Sequence, residues 1–255
     1  MFKWGSMIKY ISIFIFTANS LFSTDLSMSA LIRLDQGFID YANRVIISRG
    51  TASIIQKTMP DDNSKSIEKN IKLSKGEAKS QAREHLLDLV KQVNFDNRTV
   101  GEIMGGDPLI ESRVKSLVGS AYQQGEIEYL ERNEVAIALA IKMSGLAEIL
   151  VDANGHLNED ISHSNFLMTR NTIPKSERTS GIVIDARNIY HVPAMVPKIF
   201  NENDNLIYGP RHYTRSRSIN RGPMGYAHSM KDGNVLRRVG KNPIIIKAIS
   251  SEDKV

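Results

Sequence analysis

The chain has 255 residues, of which 41% are hydrophobic and 24% are charged, and its formal net charge is +5. This composition is ordinary for a folded globular protein of one large domain or two small ones, so wholesale disorder is excluded. The chain has no cysteine, which excludes disulfide bonds, thiolate metal sites, a cysteine nucleophile and lipidation at an N-terminal cysteine.

The first 23 residues have the order of a secretory signal peptide. Lys3 and Lys9 precede an apolar run at residues 10–16, and small residues follow, with alternative cleavage triplets at 18–20 and 21–23. The apolar run is shorter than the roughly 20 residues that a spanning helix needs. We therefore expect a cleaved signal peptide rather than an anchor or a buried strand, and a mature periplasmic protein without a transmembrane segment.

Residues 37–150 are interpreted as an α+β domain, a compact strand, helix, helix, strand, strand unit. A β-branched run at residues 45–47 predicts its first strand, and the polar residues 59–74 predict a loop or the approach to a helix. Apolar residues at three- and four-residue spacing predict a helix over residues 75–93. The apolar positions of that helix are Ala78, Ala82, Leu86, Leu89, Val90 and Val93.

The second helix and the last two strands of this unit also have clear signals. Asp107 and Pro108 predict a helix start, as N-cap and first helical residue. Over residues 126–143 the apolar period changes to two, which predicts strands joined by a hairpin turn at residues 131–134. One face of the second strand is large and the other is small, which favours a sheet covered by helices on the large side. The large residues are Val135, Ile137, Leu139, Ile141 and Met143, and the small ones are Ala136, Ala138 and Ala140.

The C-terminal part is predicted to be a small β-rich domain at residues 179–255, joined to the first domain by a polar linker at residues 151–178. Its strands are predicted at 181–184, where the strand is expected to be buried, and at 194–200, 206–208 and 243–249. The second and third of these strands predict a β-hairpin with a five-residue loop.

No motif in the sequence predicts a catalytic centre. The stretch Gly-Glu-Ile-Met-Gly-Gly at 101–106 lacks the Gly-Lys-Ser/Thr of a phosphate loop, and there is no nucleophile elbow. His156 and His163 are interpreted as part of a solvated linker rather than a metal site. Asp185 and Arg187 lie two residues apart at a strand end, and without a nucleophile nearby we favour a structural role for them. We expect no enzyme activity, no cofactor and no metal.

The C-terminal half resembles the signature blocks of the Lpp-twenty-type lipoprotein family, which includes the flagellar accessory protein FlgP. The stretches SGIVIDARN, PAMVPKIFNENDNLIYGP, GPMGYAHSM and RVGKNPIIIKA follow the family's order. The upstream helices and strands agree, so the resemblance covers roughly residues 37–249. The structural motif residues that it marks are Asp185, Arg187, Pro193, Pro197, Tyr208, Gly209, Gly225, Tyr226, Gly240, Asn242 and Pro243.

The resemblance implies an exported, non-enzymatic structural or assembly protein of the bacterial cell envelope. Some members form rings or disks around the flagellar motor, so it also implies a homo-oligomer, with envelope or flagellar motor proteins as partners and no nucleic acid. Two features depart from the family. No cysteine is present for an acyl anchor, and Asn188 stands where a glycine is usual, although asparagine tolerates left-handed dihedrals better than most residues.

A basic segment at residues 210–241 favours an alternative function, a periplasmic module that binds polyanions or glycans. The segment has eight cationic residues against Asp232, a net charge of +7, whereas the rest of the chain after signal cleavage sums to −4. A solvated basic loop remains the plainer interpretation. The asymmetry also suits a head-to-tail contact between copies. The candidate interaction residues are Arg211, Arg215, Arg217, Arg221, Arg237 and Arg238, and their acidic counterparts are Asp61, Asp62, Asp152, Glu159 and Asp160.

Overall fold

The computed structural model describes residues 30–54, 63–131, 133–153, 179–227 and 229–251. The expected signal peptide and most of the predicted linker, including both of its histidines, lie outside the described residues. So do the acidic candidates Asp61, Asp62, Glu159 and Asp160 and the side chain of Asp152. The fold is α+β, as predicted.

The main sheet is antiparallel throughout. It is formed by β1 (Leu31–Leu34), β2 (Gly37–Asp40), β3 (Val45–Ser53), β4 (Tyr122–Gln123), β5 (Glu128–Leu130) and β6 (Glu134–Lys142). The strand order is β1-β2-β3-β6-β4, and β5 also pairs with β6. The predicted hairpin is confirmed at β5–β6, where Asn133 has a φ of 56°. The short strands β1 and β2, which precede the first predicted strand, were not expected.

Four helices accompany this sheet: α1 (Asn63–Lys91), α2 (Val100–Gly106), α3 (Pro108–Gly119) and α4 (Met143–Ala153). The helix α1 begins before the predicted residue 75, because its polar first half is helical without an apolar period to reveal it. The unpredicted helix α2 begins with a capping box between Thr99 and Glu102. The predicted cap of α3 is confirmed, since Asp107 accepts from two backbone amides. The helix α4 extends into the predicted linker, and Val151 is buried.

The helix α1 covers the large face of β6, as predicted. Ser48 and Gly50 of β3 lie opposite Leu139 and Ile137 and therefore share that face. The Ser48 hydroxyl donates to the carbonyl of Ala82 in α1 at 2.7 Å. A Cβ on Gly50 would lie 2.1 Å from the carbonyl oxygen of Ala78. The close approach of helix to sheet thus depends on small residues at the contact.

The C-terminal part contains more helix than its sequence predicts. Its elements are β7 (Gly181–Asp185), β8 (Ile199–Phe200), β9 (Leu206–Tyr208), a 3-10 turn (Pro210–His212), α5 (Arg215–Arg221), α6 (Gly233–Val239) and β10 (Pro243–Lys247). The strands β7 and β10 pair in parallel. The strands β8 and β9 form the predicted antiparallel hairpin. The basic segment is therefore not a loop, because it contains α5 and α6.

Two predicted strands differ in the structure. Residues 194–198 are irregular, and only Ile199 and Phe200 of that strand are extended and paired. Prolines cannot donate ladder hydrogen bonds, and Pro193 precedes the irregular part while Pro197 lies within it. The amides of Met195 and Val196 instead donate to the carbonyls of residues 94 and 95. The strand β10 ends at Lys247, two residues earlier than predicted.

The C-terminal part shares the hydrophobic core of the N-terminal part. The buried side chains of Met195, Val196, Tyr213 and Ile219 belong to the same core cluster as those of the main sheet and α1. The sequence regions 37–150 and 179–255 are therefore packed against each other through a common core.

Candidate functional site

Asp185 and Arg187 form a bidentate ion pair at the end of β7. Arg187 Nε donates to Asp185 Oδ1 at 2.8 Å and Nη2 donates to Oδ2 at 2.6 Å, while the Arg187 amide donates to Oδ1 at 3.2 Å. The carboxylate is 14% exposed and the guanidinium 70%. These bonds from Arg187 lower the pKa of Asp185 from 3.8 to about 2. The geometry fits the structural role favoured from sequence.

Tyr226 fastens the irregular proline segment to the core. Its hydroxyl donates to the Ala194 carbonyl at 2.8 Å and accepts from the Ala194 amide at 3.0 Å. Its ring meets Tyr41 edge to face, with centroids 5.7 Å apart. The carbonyl of Pro193 accepts from the side chain of Asn94 at 3.3 Å. Burial raises the pKa of Tyr226, so the hydroxyl stays protonated and keeps both bonds.

Tyr208 joins the hairpin to the end of α5. Its hydroxyl donates to the Pro223 carbonyl at 2.7 Å, and its ring lies 5.7 Å from Tyr213 and 5.8 Å from His212. Gly209, which follows it, is buried. The hydrogen bonds and ring contacts of Tyr208 and Tyr226 therefore indicate structural roles.

The remaining motif residues form the joint between α6 and the parallel strands. Gly240 ends α6 with a φ of 77°, and a Cβ there would lie 2.6 Å from the Cβ of Ser180. The Asn242 amide donates to Ser180 Oγ at 2.8 Å, and the Ser180 amide donates to the Asn242 carbonyl at 2.9 Å. Pro243 then opens β10 opposite Gly181. A glycine is also needed at Gly225, where a Cβ would come within 2.7 Å of the Arg238 side chain.

Arg238, one of the candidate interaction residues, makes internal hydrogen bonds. Its guanidinium donates to the carbonyls of Arg221, Gly222 and Pro223 at 2.9, 2.8 and 3.1 Å. Arg44, which the sequence did not single out, donates from Nη2 to the carbonyls of Ser218 and Ile219 at 3.3 and 3.0 Å. Together the two guanidinium groups satisfy the carbonyls at the C-terminal end of α5.

The other candidate arginines are mainly surface residues. Arg211, Arg217, Arg221 and Arg237 are exposed and Arg215 is half-buried. Burial, and then the charges of Arg217 and Arg221, lower the pKa of Arg238. Cationic side chains therefore gather at one end of α5 and repel one another, as in a surface that attracts anions.

The sheet of β7 and β10 exposes a group of isoleucines, although the strand at 181–184 was expected to be buried. The exposed fractions of Ile182, Ile244, Ile245 and Ile246 are 59%, 49%, 57% and 47%. Within the described residues, neither strand has a second neighbour. Apolar runs at 182–184 and 244–246 are equally compatible with a buried strand and with an interface strand, so periodicity could not separate the two.

The described part of the chain gives no sign of a metal centre or a membrane span. No group of three or more histidine, aspartate or glutamate side chains in this part could hold a metal ion. No helix among the described residues combines the length and hydrophobicity needed to cross a membrane.

Residues 181–255 match the family described as the second domain of Treponema pallidum Tp0624. The match begins at β7 and includes the Asp185–Arg187 ion pair, Tyr208, Tyr226, the basic segment and β10. It covers less than a third of the chain. It is therefore a similarity of the C-terminal part alone. No curated protein matches the chain.

Proposed function

We propose that the chain is an exported, non-enzymatic structural or assembly protein of the bacterial cell envelope, and that it self-associates as a flagellar accessory component. The observation that carries self-association is the exposed parallel sheet of β7 and β10. The resemblance of its motif blocks to the Lpp-twenty-type family supports the envelope role and the flagellar one. The residues with the strongest contacts, such as Asp185 and Tyr226, hold the fold together, which supports a building block over an enzyme.

An isolated two-stranded sheet is only marginally stable in water, and parallel sheets are normally covered on both faces. The sheet of β7 and β10 has an outer edge on each strand and isoleucines exposed around it. Strand addition from a second copy would pair an edge and remove the isoleucines from water. Full burial of an exposed isoleucine contributes about 1.5–3 kcal/mol, so each of these half-exposed side chains would contribute about half of that.

The charge distribution supports a second copy as the occupant. The helix α6, which carries Arg237 and Arg238, contacts β7, so part of the basic segment lies beside the apolar sheet. The remainder of the mature chain has the opposite net charge. A head-to-tail contact between unlike surfaces closes into a ring or continues as a filament, which is the kind of assembly that the family resemblance implies.

Sedimentation velocity on the chain from residue 24 onward tests self-association. We expect a concentration-dependent oligomer, and we expect Ile245→Asp to raise its dissociation constant by at least about tenfold, because the carboxylate would be desolvated at the interface. Leu109→Asp is the matched control. Leu109 is 67% exposed at the N-terminal end of α3, where an acidic residue is favourable.

A wild-type monomer at every concentration would refute intrinsic self-association. Equal weakening by both variants would move the interface away from β7 and β10. Tomography of the envelope with and without the gene product then tests the flagellar part of the proposal, since the loss of a ring or disk at the motor is its expected result.

The alternative function, polyanion or glycan binding, is favoured by the mutual repulsion of the arginines at the end of α5. Arg217 and Arg221 are exposed there, and both lower the pKa of Arg238. Binding to heparin at several salt concentrations tests it. The double variant Arg217→Gln, Arg221→Gln should bind more weakly and with a shallower salt dependence than wild type. Unchanged heparin binding by the double variant would exclude this segment as a polyanion site.

A further inference from the structure

An open cleft of about 370 Å³ lies beside the main sheet, away from the β7–β10 sheet and from α1. Strands β3, β4 and β6, the start of α4 and the end of α5 all contribute to its walls. The lining residues are Asn43, Arg44, Val45, Ile47, Tyr122, Gln124, Lys142, Ser144 and Asn220. The volume falls in the range of small-molecule sites.

The strand register explains why a cleft forms on this face. Val45 lies opposite Lys142, and Ala140 lies opposite both Ile47 and Tyr122. These residues share the face on which the middle of β6 carries alanines and its last residue is Lys142, whereas α1 covers the other face. Small side chains leave a depression between neighbouring large ones, and Tyr122, which is 41% exposed on an edge strand, stands at its side.

The charge of the lining has one sign. It contains Arg44 and Lys142 and no carboxylate, and its remaining polar groups are amides and hydroxyls. These neutral groups belong to Asn43, Gln124, Ser144, Asn220 and Tyr122. The neighbouring carboxylate of Asp40 lies outside the lining and accepts from the backbone and side-chain amides of Asn43, at 2.8 Å each. A ligand with one negative charge and several hydroxyl groups matches this set, because amides both donate and accept hydrogen bonds.

Arg44 is held in place before any ligand arrives. Its backbone has a φ of 58°, a left-handed conformation that is strained for a residue other than glycine and is concentrated at functional sites. The bonds to the carbonyls of Ser218 and Ile219 use Nη2. Within the described residues, Nε and Nη1 keep donors for a further partner. A fixed guanidinium fork binds planar or tetrahedral anions without losing much side-chain entropy.

We propose that this cleft binds a monosaccharide-sized ligand that carries one carboxylate or one phosphate. Arg44 and Lys142 bind the anionic group. The amides of Asn43, Gln124 and Asn220 and the hydroxyl of Ser144 bind sugar hydroxyls, and the ring of Tyr122 contacts the apolar face of the sugar. The site is independent of self-association through β7 and β10.

Ligand-detected NMR and calorimetry on the wild-type protein test the site with three probes: glucuronate, glucose 6-phosphate and glucose. We expect one or both anionic sugars to bind at least about tenfold more tightly than glucose, since a charge-assisted bond is about twice as strong as a neutral one. The two anions distinguish a carboxylate ligand from a phosphate ligand. Lys142→Gln and Tyr122→Ala should each weaken the preferred anionic sugar by about tenfold.

Lys115→Gln is the control, because Lys115 is an exposed lysine on α3 outside the cleft and pairs with Glu111. Arg44 is not varied, since it also stabilises α5. Sedimentation of each variant separates loss of binding from loss of assembly. Failure of all three probes to bind, equal binding of glucose and the anions, or equal weakening by Lys115→Gln would overturn the proposal.

Discussion

Arg44 and Arg238, from opposite ends of the chain, donate to neighbouring carbonyls at the same end of α5. One guanidinium comes from the turn that leads into β3, and the other comes from α6. Both are partly buried, and the charge of Arg238 adds to burial in lowering the pKa of Arg44. Two like charges are thus kept near each other because each donates to carbonyls at the end of the short helix.

We expect Arg238→Gln to lower the free energy of unfolding by about 1–3 kcal/mol, because carbonyls at the end of α5 lose their donors. Urea denaturation measures the change. Arg237→Gln is the control, since Arg237 is exposed and contacts Asn234 within its own helix. Arg238→Lys should rescue little, because one ammonium cannot reach three carbonyls with the geometry of a guanidinium. Full rescue by lysine would show that charge, and not the set of bonds, matters.

Asp185→Asn should lower the melting temperature by several degrees and should weaken assembly through the adjoining sheet. The pKa of Asp185 is about 2 in the folded state against the usual 3.8. The ion pair therefore stabilises the fold fully above about pH 4, and this contribution is lost as the pH falls toward 2. The difference in melting temperature between wild type and variant should shrink over that interval. A difference that is zero at pH 7, with assembly unchanged, would return Asp185 to the candidates for a functional site.

Tyr226→Phe should destabilise the protein by about 1–3 kcal/mol, because the backbone of Ala194 loses a donor and an acceptor together. Hydrogen exchange at the Ala194 amide should accelerate in the variant. Tyr190→Phe is the control, since Tyr190 is 48% exposed. Unchanged exchange at Ala194 would mean that the prolines alone hold this segment.

The oligomer should weaken, without dissociating fully, as salt rises. Surface charge pairs contribute only about 0–1 kcal/mol each and are screened by salt. The free energy gained by burying isoleucines is not screened by salt. Light scattering at low and high salt measures both contributions. Complete dissociation at high salt would assign the contact to the basic segment alone.

The mature protein from its native host should begin between Leu21 and Asp25. This prediction depends on the order of basic, apolar and small residues in the first 23 positions. N-terminal sequencing is the measurement. A mature chain that still began at Met1 or Met7 would refute cleavage.

The sequence predicted those elements whose formation depends on residues close together in the chain. The apolar period of α1, the cap at Asp107 and the alternation in β6 each depend on residues within a few positions of one another, and each is confirmed. The helices α5 and α6 were missed because their residues are mostly polar. Their N-caps, Thr214 and Asp232, were nevertheless present, each followed by a glycine at the helix end. These N-caps and terminal glycines are the sequence signal from which the two helices could have been predicted.

The candidate sites could be predicted only in part, because they depend on partners distant in sequence. The spacing of Asp185 and Arg187 was sufficient to favour a structural role, but it did not distinguish an ion pair from hydrogen bonds to the neighbouring backbone. Nothing near Arg44 indicated that it would reach α5. The isoleucines of β7 and β10 have the composition of a buried strand, and only the tertiary structure shows that they are exposed.

The parallel pairing of β7 with β10 has a consequence for the order of folding. Ser180 and Asn242, at the start of this pairing, are 62 residues apart, so β7 has no strand partner until β10 is present. Pairings of such high contact order form slowly, since a long loop must close first. A chain that crosses a membrane unfolded, N-terminus first, would therefore emerge with its apolar strand still single. The sheet proposed to join copies would be completed only after release, which delays assembly until the protein is on the far side.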